Sequence, residues 1–343
     1  MATMQQVADR AGVSIATVSF VVNGTKRVSA ETTRRITQAI DELGFEPNAN
    51  ARALASRKSH MIAMLVPLVE RDINSFISGA AAAAAERGYK LVLWPVGDDP
   101  KREVSSLIAS RMVDGVLLME VELDDPRVDR LTELGSPFAL IGRTRDPGSV
   151  SYVDIDFERA TACAIDLLTA LGHRNLALVT QQFDAPTLRT YAPPVRVEQT
   201  FRETLESRGF AHAVFRLPGD PAAGRALPAL IFREHPDTTA IVVMNDDACF
   251  GIVSGLKRIG KSVPGDVSVI SLGTSDRMGS MSDPELTRLV TKGEEMGRAA
   301  ALALIDRLDG TDAPPVQVLI PLDLHEGDST AAPPAAAAPA KAS

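Results

Sequence analysis

From residue 61 to residue 322 the chain alternates short β-type apolar runs with amphipathic helical segments, and few folds accommodate that pattern. Strand candidates are 61–67 (MIAMLVP), 89–96, 115–119, 137–142, 151–155, 175–180, 213–218, 240–245, 267–273, 287–291 and 316–321. Helical patterns fall between most of them, at 76–87, 101–111, 157–171, 196–208, 224–235, 247–259 and 293–308. Strand, helix and strand in repetition make right-handed parallel crossovers, with helices on both faces of the sheet. Only 4% of residues are aromatic, and Ala and Val are plentiful, as suits strands packed on both faces. Roughly 260 residues exceed the usual size of one such sheet, so the expectation is two similar doubly wound subdomains. Ligands in such folds sit at the carboxyl ends of strands, here also in the cleft between lobes.

The first 46 residues follow a different period. Thr3 and Gln6 have capping-box spacing, so a helix is expected from about Met4 to Gly12. Ser14 caps a second helix from Ile15 to about Val22, ended by Asn23-Gly24, and Ser29 caps a third from about Ala30 to Leu43, closed by Gly44. Val7, Ala8, Val18, Val21, Val22, Ile36, Ile40 and Leu43 recur at helical spacing as a small shared core. The next segment, PNANARALASRK (47–58), has too few large apolar residues to be buried but contains helix formers, and reads as a linker that is helical only with support. Residues 1–58 hold eight basic and five acidic residues, a net +3. With −8 for the whole chain, the remainder carries −11. A basic head on an acidic body is the asymmetry expected when only the head touches nucleic acid. The Ala/Pro-rich residues 323–343 are expected to be disordered.

The motifs VADRAGVS-x-x-TVS, NG, RVS-x-x-T-x-x-R-I and LGF-x-PN-x-x-AR-x-L stand in that order within the first 54 residues. In this the chain resembles the LacI/GalR family of helix-turn-helix repressors. The resemblance implies an all-α helix-turn-helix DNA-binding head (1–46) and a hinge helix (47–58). It also implies an α/β body of two doubly wound parallel-sheet subdomains like periplasmic binding proteins (59–322). The expected division is 59–156 with 288–315, and 157–287 with 316–322. Gly12 permits the tight turn before the recognition helix. Thr3, Ser14, Ile15, Ala16, Thr17, Ser19, Phe20, Asn23 and Arg34 are then the DNA-binding candidates of the head, with Arg35, Arg57 and Lys58 as further phosphate contacts. The family usually has Arg where this chain has Phe20. That loses a bidentate contact to guanine worth ~1–3 kcal/mol of discrimination and shifts readout toward apolar contacts from Ile15 and Ala16. In the hinge, Leu54 falls where the family inserts a leucine into the minor groove, flanked by Asn50, Ala51 and Arg52. Such a wedge unstacks and kinks the duplex. Two linkers meeting at one central step imply a homodimer on a palindromic operator.

The body carries further likenesses in DINSF (72–76), LGHRNLALV (171–179), VPGDVSVIS (263–271) and VVMNDDACFGIVSGLKRIG (242–260). The resemblance makes Asn74, Phe76, Arg143, Asp156, Phe157, Arg196, Asn245 and Asp246 candidates for holding a small-molecule effector, most readily a sugar. Carboxylates and amides each hold two adjacent hydroxyls, and a phenyl ring stacks on an apolar sugar face. Where many members carry an aspartate after the VSVIS strand, this chain has LGTSD, so Thr274 or Asp276 stands in. A purine or another non-sugar effector is the alternative.

GLKRIGKS (255–262) satisfies the pattern of a phosphate-binding loop, but that mechanism needs a strand before the loop and a helix after it. A helix leads in here and Pro264 follows, so no NTPase site is expected. The five histidines lack metal-ligand spacing, the two cysteines make no CxxC, and no cofactor motif or nucleophile elbow is present. A transport solute-binding protein would need a leader peptide and no DNA-binding head, the reverse of this chain. The expectation is a cytoplasmic, non-enzymatic transcription regulator, nucleoid-associated when bound to its operator.

Overall fold

The computed structural model describes residues 2–23, 26–45, 58–67, 73–97, 99–183 and 190–335. In the head, α1 spans Met4–Ala11, α2 Ile15–Asn23 and α3 Ala30–Leu43. Each start has a local cause. Thr3 Oγ1 accepts from Gln6 N while Thr3 N donates 2.8 Å to Gln6 Oε1, a complete capping box. Ser14 Oγ accepts from Thr17 N at 3.2 Å, and Ser29 Oγ from Thr32 N at 3.2 Å. Val7, Ala8, Ala11, Val18, Ile36, Ala39 and Phe45 form the buried core, with Val21, Val22 and Ile40 partly buried around it. Leu43 departs from expectation: it lies 36% exposed, and Phe45 takes the place beneath the end of α3.

The chain enters the body at residues 58–61. There the Asp114 carboxylate accepts from Ser59 N (2.7 Å), Ser59 Oγ (2.8 Å) and His60 N (2.8 Å). The following elements are β1 (Met61–Pro67), α4 (Asn74–Glu86), β2 (Lys90–Val96), α5 (Pro100–Ser110), β3 (Gly115–Leu118), α6 (Pro126–Glu133), β4 (Phe138–Ile141) and β5 (Ser151–Ile155). The second half has α7 (Phe157–Ala170), β6 (Asn175–Gln181), α8 (Ala192–Ser207), β7 (Ala211–Leu217), α9 (Pro221–Glu234), β8 (Ala240–Met244) and α10 (Asp246–Arg258). It continues through β9 (Ser268–Leu272), α11 (Asp276–Ser280), β10 (Thr287–Val290), α12 (Gly293–Leu308), β11 (Gln317–Ile320) and β12 (Asp323–His325).

Two six-stranded sheets result, ordered β11-β5-β4-β3-β1-β2 and β12-β10-β9-β8-β6-β7. The register of β3, β4, β5 and β11, and of β6 through β10, is parallel. The strand β12 runs antiparallel, against β10. Buried Val, Ile, Leu and Ala line the strands, as sheets covered on both faces require. The two orders are equivalent, and each reverses direction at one point, between β1 and β3 and between β6 and β8.

Three details correct the sequence reading. β11 belongs to the first sheet, not the second, because its backbone pairs with β5 from Gln317 against Tyr152 to Ile320 against Ile155. The chain then crosses back to add β12 to the second sheet. Residues 323–335 are ordered, although their composition suggests a disordered tail. Ser329 is buried, accepts from Thr287 N (2.8 Å) and donates to Val269 O (2.5 Å). Ala331 O lies 2.9 Å from Nε2 of His173, whose burial holds its pKa below the ordinary value, so the neutral ring donates there. Helices α6 and α11 have no counterpart among the expected segments, since each is short and mostly polar.

Glycines set the closest helix packing. A Cβ on Gly297 of α12 would strike Phe76 O of α4, and one on Gly224 of α9 would strike Ala248 O of α10. Gly297→Ala gains at most ~1 kcal/mol of helix propensity but overpacks a backbone contact, at ~1–3 kcal/mol. We therefore expect a net loss of stability in urea unfolding. An unchanged or raised midpoint would show that α4 and α12 separate freely.

Candidate nucleic-acid interface and ligand cleft

Gly12, at φ +63°, closes α1 and turns the chain into α2. Ser14, Ile15 and Ala16 at the start of α2 are exposed, Ile15 to 44%, while Thr17, Ser19 and Phe20 are half-buried. The Ser14 and Thr17 hydroxyls lie 2.8 Å apart beside the N–H groups of the first turn, a local arrangement suited to phosphate oxygens. The Phe20 ring lies under Lys26 Nζ, 4.9 Å from its centroid. Arg34 is exposed on α3. Arg35 is committed elsewhere: its Nη2 donates to the Ala11 and Gly12 carbonyls, bracing the turn. Asn23 ends α2, and its side chain lies outside the described residues. Asn50, Ala51, Arg52, Leu54 and Arg57 also fall outside them, and Lys58 is the first described residue after Phe45.

In the body, polar groups gather where the strands end. The chain passes between the two sheets three times, at 155–157, 290–293 and 320–323. A cavity of about 390 Å³ lies between the lobes, within the range of small-molecule sites. Its walls follow the two switch points of strand order. Met119 and Glu120 follow β3, Asn74 and Phe76 open α4, Gln181 and Phe183 end β6, and Asn245, Asp246 and Asp247 follow β8. Asp154, Phe157, Tyr191 and Ser275 add to the polar and aromatic lining, with Phe183 and Tyr191 edge to face at 5.4 Å.

Of the sequence-derived effector candidates, Asn74, Phe76, Phe157, Asn245 and Asp246 line this cavity. Arg143, Asp156, Arg196 and Thr274 are not among the described lining residues. Each has another task. Asp156 caps α7 through Arg159 N (3.0 Å). Thr274 is buried, donates to Asp246 Oδ1 at 2.6 Å and bonds the Ser271 hydroxyl, so it orients the carboxylate beside the cavity. Asn245 faces the cavity but uses Oδ1 to cap α10 at Ala248 N and Nδ2 to hold the Leu217 and Pro218 carbonyls. The side chain of Asp276 lies outside the described residues.

Behind the wall, Arg143 Nε donates to Asp154 Oδ2 (3.0 Å) and Arg143 Nη2 to Glu158 Oε1 (2.6 Å). Arg196 Nη1 reaches the same Glu158 oxygen at 3.4 Å, and its Nη2 reaches Thr144 O at 3.0 Å. Burial raises the Asp154 pKa from 3.8 to about 6, against the opposing pull of Arg143 and of its own bond from Ile155 N. Glu120, with φ +51°, is held in a left-handed conformation uncommon for a side-chain-bearing residue. The buried Arg127 enforces it. Its Nη2 donates to Met119 O (3.1 Å) and Glu120 O (2.9 Å), while Asp125 receives its Nε (3.0 Å).

Sequence reasoning missed Glu120, Asp154, Gln181, Phe183 and Tyr191. The first two leave a legible trace, an acid at the carboxyl end of an otherwise apolar strand. Phe183 and Tyr191 leave none, because neither stands inside a helix or strand whose period a sequence reveals. GLKRIGKS has no phosphate-loop geometry: α10 ends at Arg258, Gly260 turns at φ +76°, and Asp266 accepts from Ser262 N at 2.7 Å.

The raised Asp154 pKa fixes a pH dependence. The folded state binds this proton more tightly than the unfolded chain, so its contribution to stability is full below about 4 and falls as pH rises to about 6. Asp154→Asn cannot titrate. We expect the Tm difference, variant minus parent, to shift in the variant's favour between pH 4 and 6 and then level off. A constant difference across that range would contradict the assignment.

The comparisons with known proteins agree with this geometry. Residues 3–48 match the family described as bacterial regulatory proteins, lacI family, and residues 165–330 match a periplasmic binding protein-like domain. The HTH-type transcriptional regulator CelR of Thermobifida fusca is 31% identical over 343 residues, covering 95% of this chain and 98% of its own. Catabolite control protein A of Priestia megaterium is 28% identical, covering 89% of this chain and 92% of its own. Among solved structures, a CelR–cellobiose complex superposes with a TM-score of 0.71 at 30% identity, covering 96% of this chain and 100% of that one. A Lac repressor dimer bound to operator and the anti-inducer ONPF shares the fold, with a TM-score of 0.85 at 23% identity over 96% of this chain and 99% of that one. With a helix-turn-helix head, a two-lobed body and a full-length relative above 30% identity, the chain belongs to the LacI family of DNA-binding transcription regulators.

Proposed function

We propose that this chain is a cytoplasmic, homodimeric repressor that is released from a palindromic operator by a saccharide bound in the interlobe cleft. The observation that carries the reading is the cleft itself: carboxylates, amides and aromatic rings gathered at the carboxyl ends of both sheets, the chemistry that holds hydroxyls and stacks on a sugar face. The CelR–cellobiose complex supports the same class of ligand. In this reading Asn74, Phe76, Glu120, Asp154, Phe157, Asp246 and Asp247 meet the effector. Arg143, Asp156, Arg196, Asn245 and Thr274 hold the walls in place, and Asp276 lies nearby in sequence.

On the DNA side, Ile15, Ala16, Thr17, Ser19 and Phe20 read the major groove. Thr3, Ser14, Asn23 and Arg34 hold phosphates, and Leu54 with Asn50, Ala51 and Arg52 enters the minor groove. Ile15 and Ala16, both exposed, suit apolar contact with thymine methyl groups. Effector binding and operator binding prefer different arrangements of the lobes, so each weakens the other.

Selection of duplexes from a random pool by the full-length protein tests this reading. We expect an enriched palindrome with a pyrimidine–purine step at its centre, bound at least about 10-fold more weakly by Leu54→Ala. Equal affinity of Leu54→Ala for that duplex would remove the wedge from the mechanism. An asymmetric consensus would remove the dimeric readout.

A further inference from the structure

The basic residues of the head divide by what their donors already do. Arg10 spends its guanidinium on Glu42 at 2.5 Å, and Arg35 spends Nη2 on the Ala11 and Gly12 carbonyls. Lys26 is held differently. It stands just past the end of α2 at Asn23, is exposed, and places Nζ 4.9 Å from the centroid of the Phe20 ring. That is within the reach of a cation–π contact. Its ammonium makes no hydrogen bond and no ion pair with a described residue.

Such a seat decides what the ammonium can do next. A ring face attracts the charge without accepting an N–H, so the lysine's donors stay free. It also gives direction to a flexible side chain that otherwise samples many rotamers. The direction follows from the helix. Phe20 comes four residues after Ala16, so the two share a face of α2, and Ile15 and Ala16 are exposed at the helix start. In a helix-turn-helix the N-terminal residues of this second helix meet base edges. Lys26 therefore folds back over α2, and its charge lands beside the second turn of the helix rather than beyond its end. A lysine that serves only phosphates acts as a point charge and needs no such seat.

We infer that Lys26, seated on Phe20, reads a guanine of the operator: its ammonium donates to O6 and N7 in the major groove, beside the bases that Ile15 and Ala16 meet. The inference rests on the operator reading given above and deepens it. Guanine presents two acceptors at that edge, and a lysine is one of the side chains that match them. The apolar contacts of Ile15 and Ala16 recognise thymine methyl groups and cannot tell guanine from adenine. Lys26 supplies the donor that does.

The test combines duplex selection with one altered base. The full-length parent, Lys26→Met and Phe20→Leu each select from a random DNA pool. Met keeps the reach of the side chain without its charge, and Leu keeps an apolar residue without the ring. We expect the parent to enrich a guanine in each half-site. Both variants must lose that preference, by about 5-fold or more, and keep the others. On the parent's consensus duplex, 7-deazaguanine at that position removes the N7 acceptor and leaves base pairing intact. Fluorescence anisotropy must then show the parent weakened and Lys26→Met unmoved. A consensus unchanged in Lys26→Met overturns the inference, and uniformly weaker binding with a shallower salt dependence then puts the ammonium on a phosphate. A guanine kept by Phe20→Leu removes the seat and overturns it too. Each of these results leaves the operator reading intact. A parent that enriches no sequence overturns the operator reading, and the inference falls with it. Lys26 is exposed, so Lys26→Met decides the matter even should Phe20→Leu fail to fold.

Discussion

A parallel sheet covered by helices on both faces has only its strand ends to offer a ligand. A polar group placed mid-strand is buried and must find a partner inside the protein, so chemistry that meets a ligand is pushed to the carboxyl edge. This chain obeys that constraint twice. Its two sheets have equivalent strand orders, and both reverse direction where the cleft opens. Glu120, Asp154, Gln181 and Asn245 stand within a residue or two of a strand end, and each lines the same cavity. The site is thus a consequence of topology first and of residue choice second.

The buried ionic groups around the cleft make sense as framing. Removing one partner of a buried pair leaves an uncompensated charge, at ~3–5 kcal/mol, so such pairs hold geometry firmly even when their net contribution to stability is small. Arg127 uses its guanidinium to keep Glu120 in a left-handed turn, and Arg143 joins the end of β5 to the start of α7 across a point where the chain passes between lobes. These contacts brace a segment where the chain passes from one sheet to the other.

Much of this was legible in the sequence, for physical reasons. The period-two and period-3.6 patterns located every strand but β12, and the capping residues Thr3, Ser14 and Ser29 located the head helices to within a residue. Asp246 was named from the resemblance of the segment 242–260, and it does line the cavity. What escaped depends on long-range pairing. The sheet that receives β11 is decided by its hydrogen bonds to β5, which no local signal encodes. The order of residues 327–331 comes from Ser329 and Ala331 meeting Val269, Thr287, Ser268 and His173, contacts invisible in an Ala/Pro-rich stretch. Thr274 and Asn245 were read as ligand groups; both are hydrogen-bonded within the wall, and only Asn245 also lines the cavity, a difference invisible in sequence because a hydroxyl or an amide looks alike whatever it meets.

The central claim is that the head and the cleft belong to one allosteric system, and linkage tests it directly. Operator affinity of the full-length protein would be measured by fluorescence anisotropy with and without a saturating saccharide, and saccharide affinity by titration with and without saturating operator. The account predicts the same factor from both directions, typically ~5–150-fold. A saccharide that binds the free and operator-bound protein equally well would contradict it, because a ligand without differential affinity shifts no equilibrium.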